Sequence, residues 1–352
     1  MISVLTSLAL SLAAHGAMTQ ETTEEEVAFP ELTALLQQGE VSGSAFEAAV
    51  EEVRRAAQDG DVDAMITLGG LIAQDLTVDP NSADAWFERA IAEGDEEQAA
   101  SGQYNLASYY FTRGILDGRA RTLLQGLETG PMSIRPNALG LLGIDYLLGI
   151  DGEVRAEEGR ALINSAIAMG YENAAVFHAY GAHLFQIDRA RAFDMLARAA
   201  NLGHVEATWL YAVELLNEEG TNPAQAYEMV VWASEQGLTQ AKISRAVLLA
   251  TGQGVEQDIP AAREWYLAAA RDGSAHGLRG LAFMILAGEG GEPDPALGYG
   301  LIDIAAAAGD AYAQAQIDGS VEGQAERPDA ATTRSAAQAW LAEQGLSNTR
   351  FR

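Results

Sequence analysis

The sequence predicts an all-α fold, a right-handed α/α superhelical solenoid of about eight to nine helix-turn-helix repeats of about 36 residues each. Three observations carry this expectation. Glycines recur at Gly60, Gly94, Gly130, Gly170, Gly203, Gly237, Gly273, Gly309 and Gly345, at steps of 33 to 40 residues. Four residues before each stands a small residue, Ala56, Ala90, Gly126, Ala166, Ala199, Ala233, Ala269 and Ala305, until Leu341 breaks the column. After each glycine a pair of small residues five apart recurs, from Ala64 with Gly69 through Ala241 with Ala246 to Gly277 with Ala282, and only Ala313 with Asp318 departs.

Each unit reads as helix A, a turn, helix B and a glycine stop. Small side chains in register let helices cross closely, and a glycine after helix B suits the left-handed C′ position, where a Cβ is disfavoured. One such unit cannot bury its own apolar face, so neighbours must stack into a continuous core. The turn between helices is clearest at Gly252-Gln253-Gly254-Val255, after which Asp258 is placed to cap a helix that has Pro260 in its first turn. Asp79-Pro80 and Asp294-Pro295 present the same pattern. Trp86 and Trp265, each seven residues beyond its aspartate, are expected in the core.

Taken in chain order, residues 1–16 read as a cleaved secretory signal. An uncharged apolar run from Ile2 to Ala14 leads into Ala14-His15-Gly16, small residues of the kind a signal peptidase accepts. Residues 17–30, with Glu24-Glu25-Glu26, read as an acidic flexible linker. The solenoid then occupies 31–345, and 346–352 form a short basic tail expected to fray. No stretch reaches the roughly 18 uninterrupted apolar residues that a membrane span needs. The expected compartment is therefore the periplasm, or the cytoplasm if the first 16 residues are retained.

Composition excludes several functions. Lys+Arg 21 against Asp+Glu 50 leaves a net charge of −29, which opposes binding to nucleic acid, because that rests on cations displacing counterions from phosphates. With Cys 0 there are no disulfides, no thiolate zinc sites and no lipidated cysteine. The only lysine is Lys242, with Thr239 three residues before it, so the Ser-x-x-Lys of penicillin-recognising acylases is absent. Phosphate-cradling Gly-x-x-x-x-Gly-Lys, Gly-x-Ser-x-Gly and His-Glu-x-x-His are absent too. Asp59-Gly60-Asp61-Val62-Asp63 lacks the later glycine and glutamate of a calcium loop and reads as a repeat junction. His178 and His183 lie five apart, about 140° around a helix, and do not converge on one metal. No cofactor and no metal are expected.

The segment Ala241 to Gly273, with Gly252-Gln253-Gly254-Val255, Asp258, Ala262, Trp265-Tyr266 and Ala268-Ala269-Ala270, resembles the Sel-one-like repeat family of tetratricopeptide-like α-solenoids. Gln103-Tyr104-Asn105-Leu106 is similar to the start of its helix A. The resemblance extends from about Ala45 to Gly345 and implies a non-catalytic scaffold or regulator that holds other proteins, including envelope regulators. A cysteine-rich subgroup is linked to β-lactam binding or hydrolysis, and this chain, without cysteine, departs from it. A cell-wall or β-lactam-related envelope hydrolase, or a cytosolic assembly adaptor, are the alternatives.

Solenoid curvature creates a groove lined mainly by A helices. Polar and aromatic residues expected there are Tyr109, Tyr146, His178, Tyr180, His183, Trp209, Arg245 and Arg279, with a protein or peptide as partner. Tyr146, four residues after Leu142, can equally be core.

Overall fold

The computed structural model describes residues 29–218, 220–318, 327–347 and 351. The expected signal at 1–16, nearly all of the linker at 17–30, and residues 348–350 and 352 of the tail lie outside them. The described residues form eighteen α-helices and no strand, an α-solenoid as the glycine ladder predicts. The chain divides into two compact units, residues 1–202 and 203–352.

The first unit holds α1 (Pro30–Gln38), α2 (Ser44–Gln58), α3 (Val62–Ala73), α4 (Ala83–Glu93), α5 (Glu96–Arg113), α6 (Arg119–Gly126), α7 (Arg135–Leu148), α8 (Ala156–Ala168), α9 (Ala174–Leu184) and α10 (Arg189–Asn201). Hairpins α3/α4, α5/α6, α7/α8 and α9/α10 are its A/B repeats, and successive A helices touch, α3 with α5 and α7 with α9. Its N-terminal core joins Leu32, Phe46, Val53, Met65, Leu68 and Trp86 across α1 to α4.

The second unit holds α11 (Val205–Asn217), α12 (Pro223–Glu235), α13 (Thr239–Thr251), α14 (Ile259–Arg271), α15 (Ala275–Ala287), α16 (Pro295–Ala307), α17 (Ala311–Ile317) and α18 (Ala330–Glu343). Hairpins α11/α12, α13/α14 and α15/α16 repeat the pattern, with A helices α11, α13 and α15 in successive contact and α18 laid on α16. Here Leu278, Leu281, Ile285, Leu301, Ile302 and Leu341 form one core.

The small columns sit where helices cross. Ala90, Ala166, Ala199, Ala233, Ala269 and Ala305 are fully buried, whereas Ala56 is half-buried and Gly126 is exposed. The column fails at Gly126 because α6 stops there, after only eight residues, so no further turn covers it. In the A helices, a Cβ on Gly69 would stand 2.7 Å from the Phe87 ring, and one on Gly277 2.7 Å from Ala269 Cβ.

Seven of the nine ladder glycines have a left-handed backbone, from Gly60 to Gly345. Gly94 and Gly130 correct the expectation. Gly94 is extended (φ −78°, ψ 164°), because only Gly94 and Asp95 separate α4 from α5. Its missing Cβ serves proximity, since one there would lie 2.7 Å from the Ala90 carbonyl and 2.8 Å from Gln98 Cβ. Gly130 precedes Pro131, which favours extended backbone in the residue before it.

Two of the three predicted Asp caps form. Asp258 accepts from the Ala261 N–H at 3.0 Å and Asp294 from the Leu297 N–H at 2.9 Å. Asp79 caps nothing: α4 starts after Ser82, and the Asp79 carboxylate accepts instead from Arg54 Nε (2.9 Å), the Asn81 N–H (2.9 Å) and Trp86 Nε1 (3.2 Å). Those bonds hold its pKa below the usual carboxylate range against the opposing effect of burial. Trp86 is core as expected, while Trp265 is half-buried. The tail does not fray at Phe351, which is buried against the core of the second unit.

Candidate protein-binding surface

In the first unit the expected groove residues mostly hold helices together. Tyr109, half-buried on α5, lies against the Phe87 and Tyr110 rings, with the Arg113 guanidinium 5.7 Å from its centre. Tyr146 on α7 is 4% exposed, with the guanidinium groups of Arg121 (4.9 Å) and Arg155 (5.1 Å) near its ring centre. Its hydroxyl accepts from Gln125 Nε2 at 2.7 Å. The neighbouring Asp145 has no exposed surface and accepts from Arg121 Nε (2.5 Å) and the Asp151 N–H (2.7 Å). Asp151 in turn accepts from the Gly118 N–H (2.8 Å) and the Arg121 N–H (3.2 Å). Both carboxylates are thus satisfied within the fold, and their role is to fasten the loop after α7 to α6.

On α9, Tyr180 is 1% exposed and donates to Asn164 Oδ1 at 3.1 Å, an atom that also accepts from Arg191 Nη2 at 2.5 Å. His178 is buried, and burial lowers its pKa to about 4, so it is neutral at pH 7. His183, half-buried in the last turn, is lowered by burial and then by the nearby charge of Arg160. Its Nε2 is shielded from water and makes no hydrogen bond. Tyr146, His178 and Tyr180 are all buried and present little surface to a partner. Among the described residues no group of three or more His, Asp or Glu side chains converges as a metal site would require.

In the second unit, Trp209 of α11 donates from Nε1 to Ser244 Oγ of α13 at 2.9 Å and packs on a core of Ala212, Val230 and Leu248. Arg245 turns away from the A-helix side. Its Nη1 donates to Ser234 Oγ (3.1 Å) and lies 3.6 Å from Glu235, both on α12, while its guanidinium stands 4.1 Å over the Trp265 ring of α14. Arg279 of α15 does reach along the A helices. Its Nη1 donates to Asp310 Oδ1 at 2.8 Å, ahead of α17, and its guanidinium lies 5.1 Å from the Tyr312 ring.

The exposed apolar surface on these A helices belongs to residues that sequence reasoning missed. Tyr312 is 50% exposed, and Phe283 of α15 meets it edge-on at 5.8 Å and 89°. Val247 of α13 is 41% exposed. The signal for two of them was present: Phe283 and Val247 each stand ten residues after their stop glycines, Gly273 and Gly237, and so share one register.

With this architecture in hand, comparison with known proteins is decisive for the family. The profile of the Sel1 repeat matches residues 63–95, 100–120, 163–204, 240–274 and 275–310, which cover the hairpins α3/α4, α9/α10, α13/α14 and α15/α16 and most of α5. The chain is a Sel1-repeat protein. Residues 121–162, which the profile leaves out, include most of the 40-residue step from Gly130 to Gly170 and the buried Asp145–Arg121 pair. Among solved structures, this Sel1-repeat protein is similar to c5321, a protective antigen of uropathogenic Escherichia coli strains with an SLR fold. The two are 21% identical with a TM-score of 0.64, over 84% of this chain and 64% of the antigen. It is also similar to a Sel1 repeat protein from Oxalobacter formigenes, 20% identical with a TM-score of 0.51, over 66% of this chain and 98% of that one. At such identities these likenesses establish the fold. The chain spans less than two thirds of the length of c5321. No curated protein matches it. Sel1 repeats generally act as protein-interaction scaffolds, and no helix of the described residues is long and apolar enough to cross a membrane.

Proposed function

We propose that this Sel1-repeat protein is a non-catalytic scaffold or regulator of the bacterial envelope that binds a segment of a partner protein on the A-helix side of its second unit. The observation that carries the reading is Tyr312. A half-exposed tyrosine ring, fixed edge-on by Phe283 and faced by an Arg279 that Asp310 holds, is an anchor whose ordering is complete before binding. Aromatic and arginine side chains dominate interface energetics because they bury large areas while keeping a polar handle, and a fixed anchor loses little rotamer freedom on association. Val247 of α13, at the same register as Phe283, is a further exposed apolar side chain on the A helices. The periplasmic assignment rests on the apolar run from Ile2 to Ala14.

Photo-crosslinking tests the reading. A photoreactive residue at position 312 or 247 should give discrete adducts with one partner in the periplasmic fraction, whereas the same residue at 78, where Val78 is exposed on the first unit, should not. Adducts that are equal from all three positions, or recovery of the protein only in the cytoplasm, would overturn the assignment.

A further inference from the structure

The second unit contains a cavity of about 400 Å³ between α16 and α18, which shares no residue with the Tyr312 surface. Each helix contributes one face. Gly300, Ile304 and Ala307 line it from α16 and Ala330, Arg334 and Ala337 from α18, both sets at spacings of three, four and seven that place residues on one side of a helix. The helices touch at Gly300, where a Cβ would lie 2.8 Å from Ala337 Cβ. Beyond that contact the facing alanines are too short to bridge the gap. Phe351, 3% exposed, lines the cavity as well.

The polar groups at the cavity differ in what they have already bound. Asp303 is paired with Arg327 and accepts from Thr333 Oγ1, so its charge is answered. Arg334 is exposed and, among the described residues, makes no hydrogen bond, ion pair or ring contact. An unengaged cation is unusual in a chain of net charge −29, where nine other arginines lie over aromatic rings. Gln338 adds a donor beside it. A mostly apolar concavity with a few placed polar groups at its edge is the general form of a small-molecule site, and this volume lies at the lower end of the usual range, about 300–1,000 Å³.

We propose that this cavity binds a linear aliphatic carboxylate with a tail on the order of ten carbons. The tail lies between the alanine-lined faces of α16 and α18, and the carboxylate meets the Arg334 guanidinium, a charge-assisted and geometrically matched pair. A cationic or uncharged head would leave Arg334 without a partner.

Calorimetric titration of the full chain with decanoate, decan-1-ol and decyltrimethylammonium tests this, below the micelle concentration of each. Decanoate should bind saturably at one site, at least tenfold more tightly than the other two. Arg334→Gln should weaken decanoate at least tenfold and abolish its advantage over decanol. Ala307→Leu, at an exposed position on one wall, and Ala330→Leu, on the opposite wall, should each block all binding while leaving the melting temperature unchanged. No saturable decanoate binding, equal binding of the cationic amphiphile, or binding untouched by Arg334→Gln and by both leucine variants would overturn the proposal.

Discussion

Asp310 Oδ1 accepts two hydrogen bonds at once, from the Ala313 N–H that opens α17 and from Arg279 Nη1 of α15, both at 2.8 Å. One fully buried carboxylate oxygen thus caps the last A helix and ties it to the preceding repeat. Its other oxygen is buried without a hydrogen bond, 3.6 Å from His276 Nε2. The short α17, only seven residues, would be marginal alone, so this double contact sets the position of Tyr312.

Removing that carboxylate should therefore cost both the cap and the ion pair. Asp310→Ala is expected to destabilise by about 2–4 kcal/mol, and Asp310→Asn, which keeps an acceptor for the cap, by roughly half as much. Urea unfolding of the two variants measures this. A loss below about 1 kcal/mol for the alanine variant would mean that the tie contributes little.

The pair in α6 and α7 offers a harsher case. Arg121 and Asp145 are both largely buried, and truncating one leaves the other charged and unpaired. Asp145→Ala should cost about 3–5 kcal/mol and loosen the loop after α7. Hydrogen exchange at Asp151, whose N–H donates to Asp145, should accelerate in the variant well before α2 to α4 are affected. Uniform acceleration across the first unit would show that the network holds more than the loop.

How much of this was legible in the sequence follows from what each residue touches. Asp258 and Asp294 were readable as caps because a cap is decided within four residues. Asp79 has the same local sequence and a different role, because Arg54, from 25 residues earlier, claims its carboxylate. The surface was harder to read. Tyr180 and Val247 both stand ten residues after a stop glycine, yet Tyr180 is buried and Val247 exposed. The tyrosine hydroxyl reaches Asn164 on α8, which holds the ring inward, whereas valine is short and has no such tip. Arg245 shows the same limit: its register marks an A helix, but Ser234 and Trp265 hold it against the B helices.

Helix crossings make a third prediction. Ala269→Leu and Ala233→Leu place a large side chain at fully buried positions and should cost about 1–3 kcal/mol, while Ala48→Leu at an exposed position on α2 should be near neutral. Thermal unfolding of the three distinguishes them. Equal small shifts would show that the column marks no crossing.

His178 gives a pH dependence whose sign can be worked out. Burial lowers its folded pKa to about 4, below the ordinary value of 6.5 that the unfolded chain has. Between these values the unfolded state binds more protons, so stability rises with pH and is lost as pH falls from 6.5 toward 4. The full effect of this group is up to about 3 kcal/mol at roughly 1.4 kcal/mol per unit. Carboxylates titrate in part of the same window, so the measurement is the difference between the native protein and His178→Leu at each pH. Nuclear magnetic resonance should show the His178 ring still neutral at pH 5.5. A ring that titrates near 6.5 would remove the prediction.

The last prediction concerns salt. With 50 carboxylates against 21 cations, most acidic side chains have no cation to offset them. Glu47, Glu51 and Glu52 on α2, for instance, are all exposed, and only Glu51 meets an arginine, at 2.5 Å from Arg54. Self-repulsion of this kind weakens as the Debye length falls from about 30 Å at 0.01 M to about 8 Å at 0.15 M. Salt also weakens the exposed ion pairs, but such pairs contribute only about 0–1 kcal/mol each, and the most buried, Arg121 with Asp145, is screened least. The balance favours a net gain, so the melting temperature should rise between 0.01 M and 0.15 M NaCl and flatten beyond it. A melting temperature that falls over this range would show that local pairing outweighs the repulsion of the whole chain.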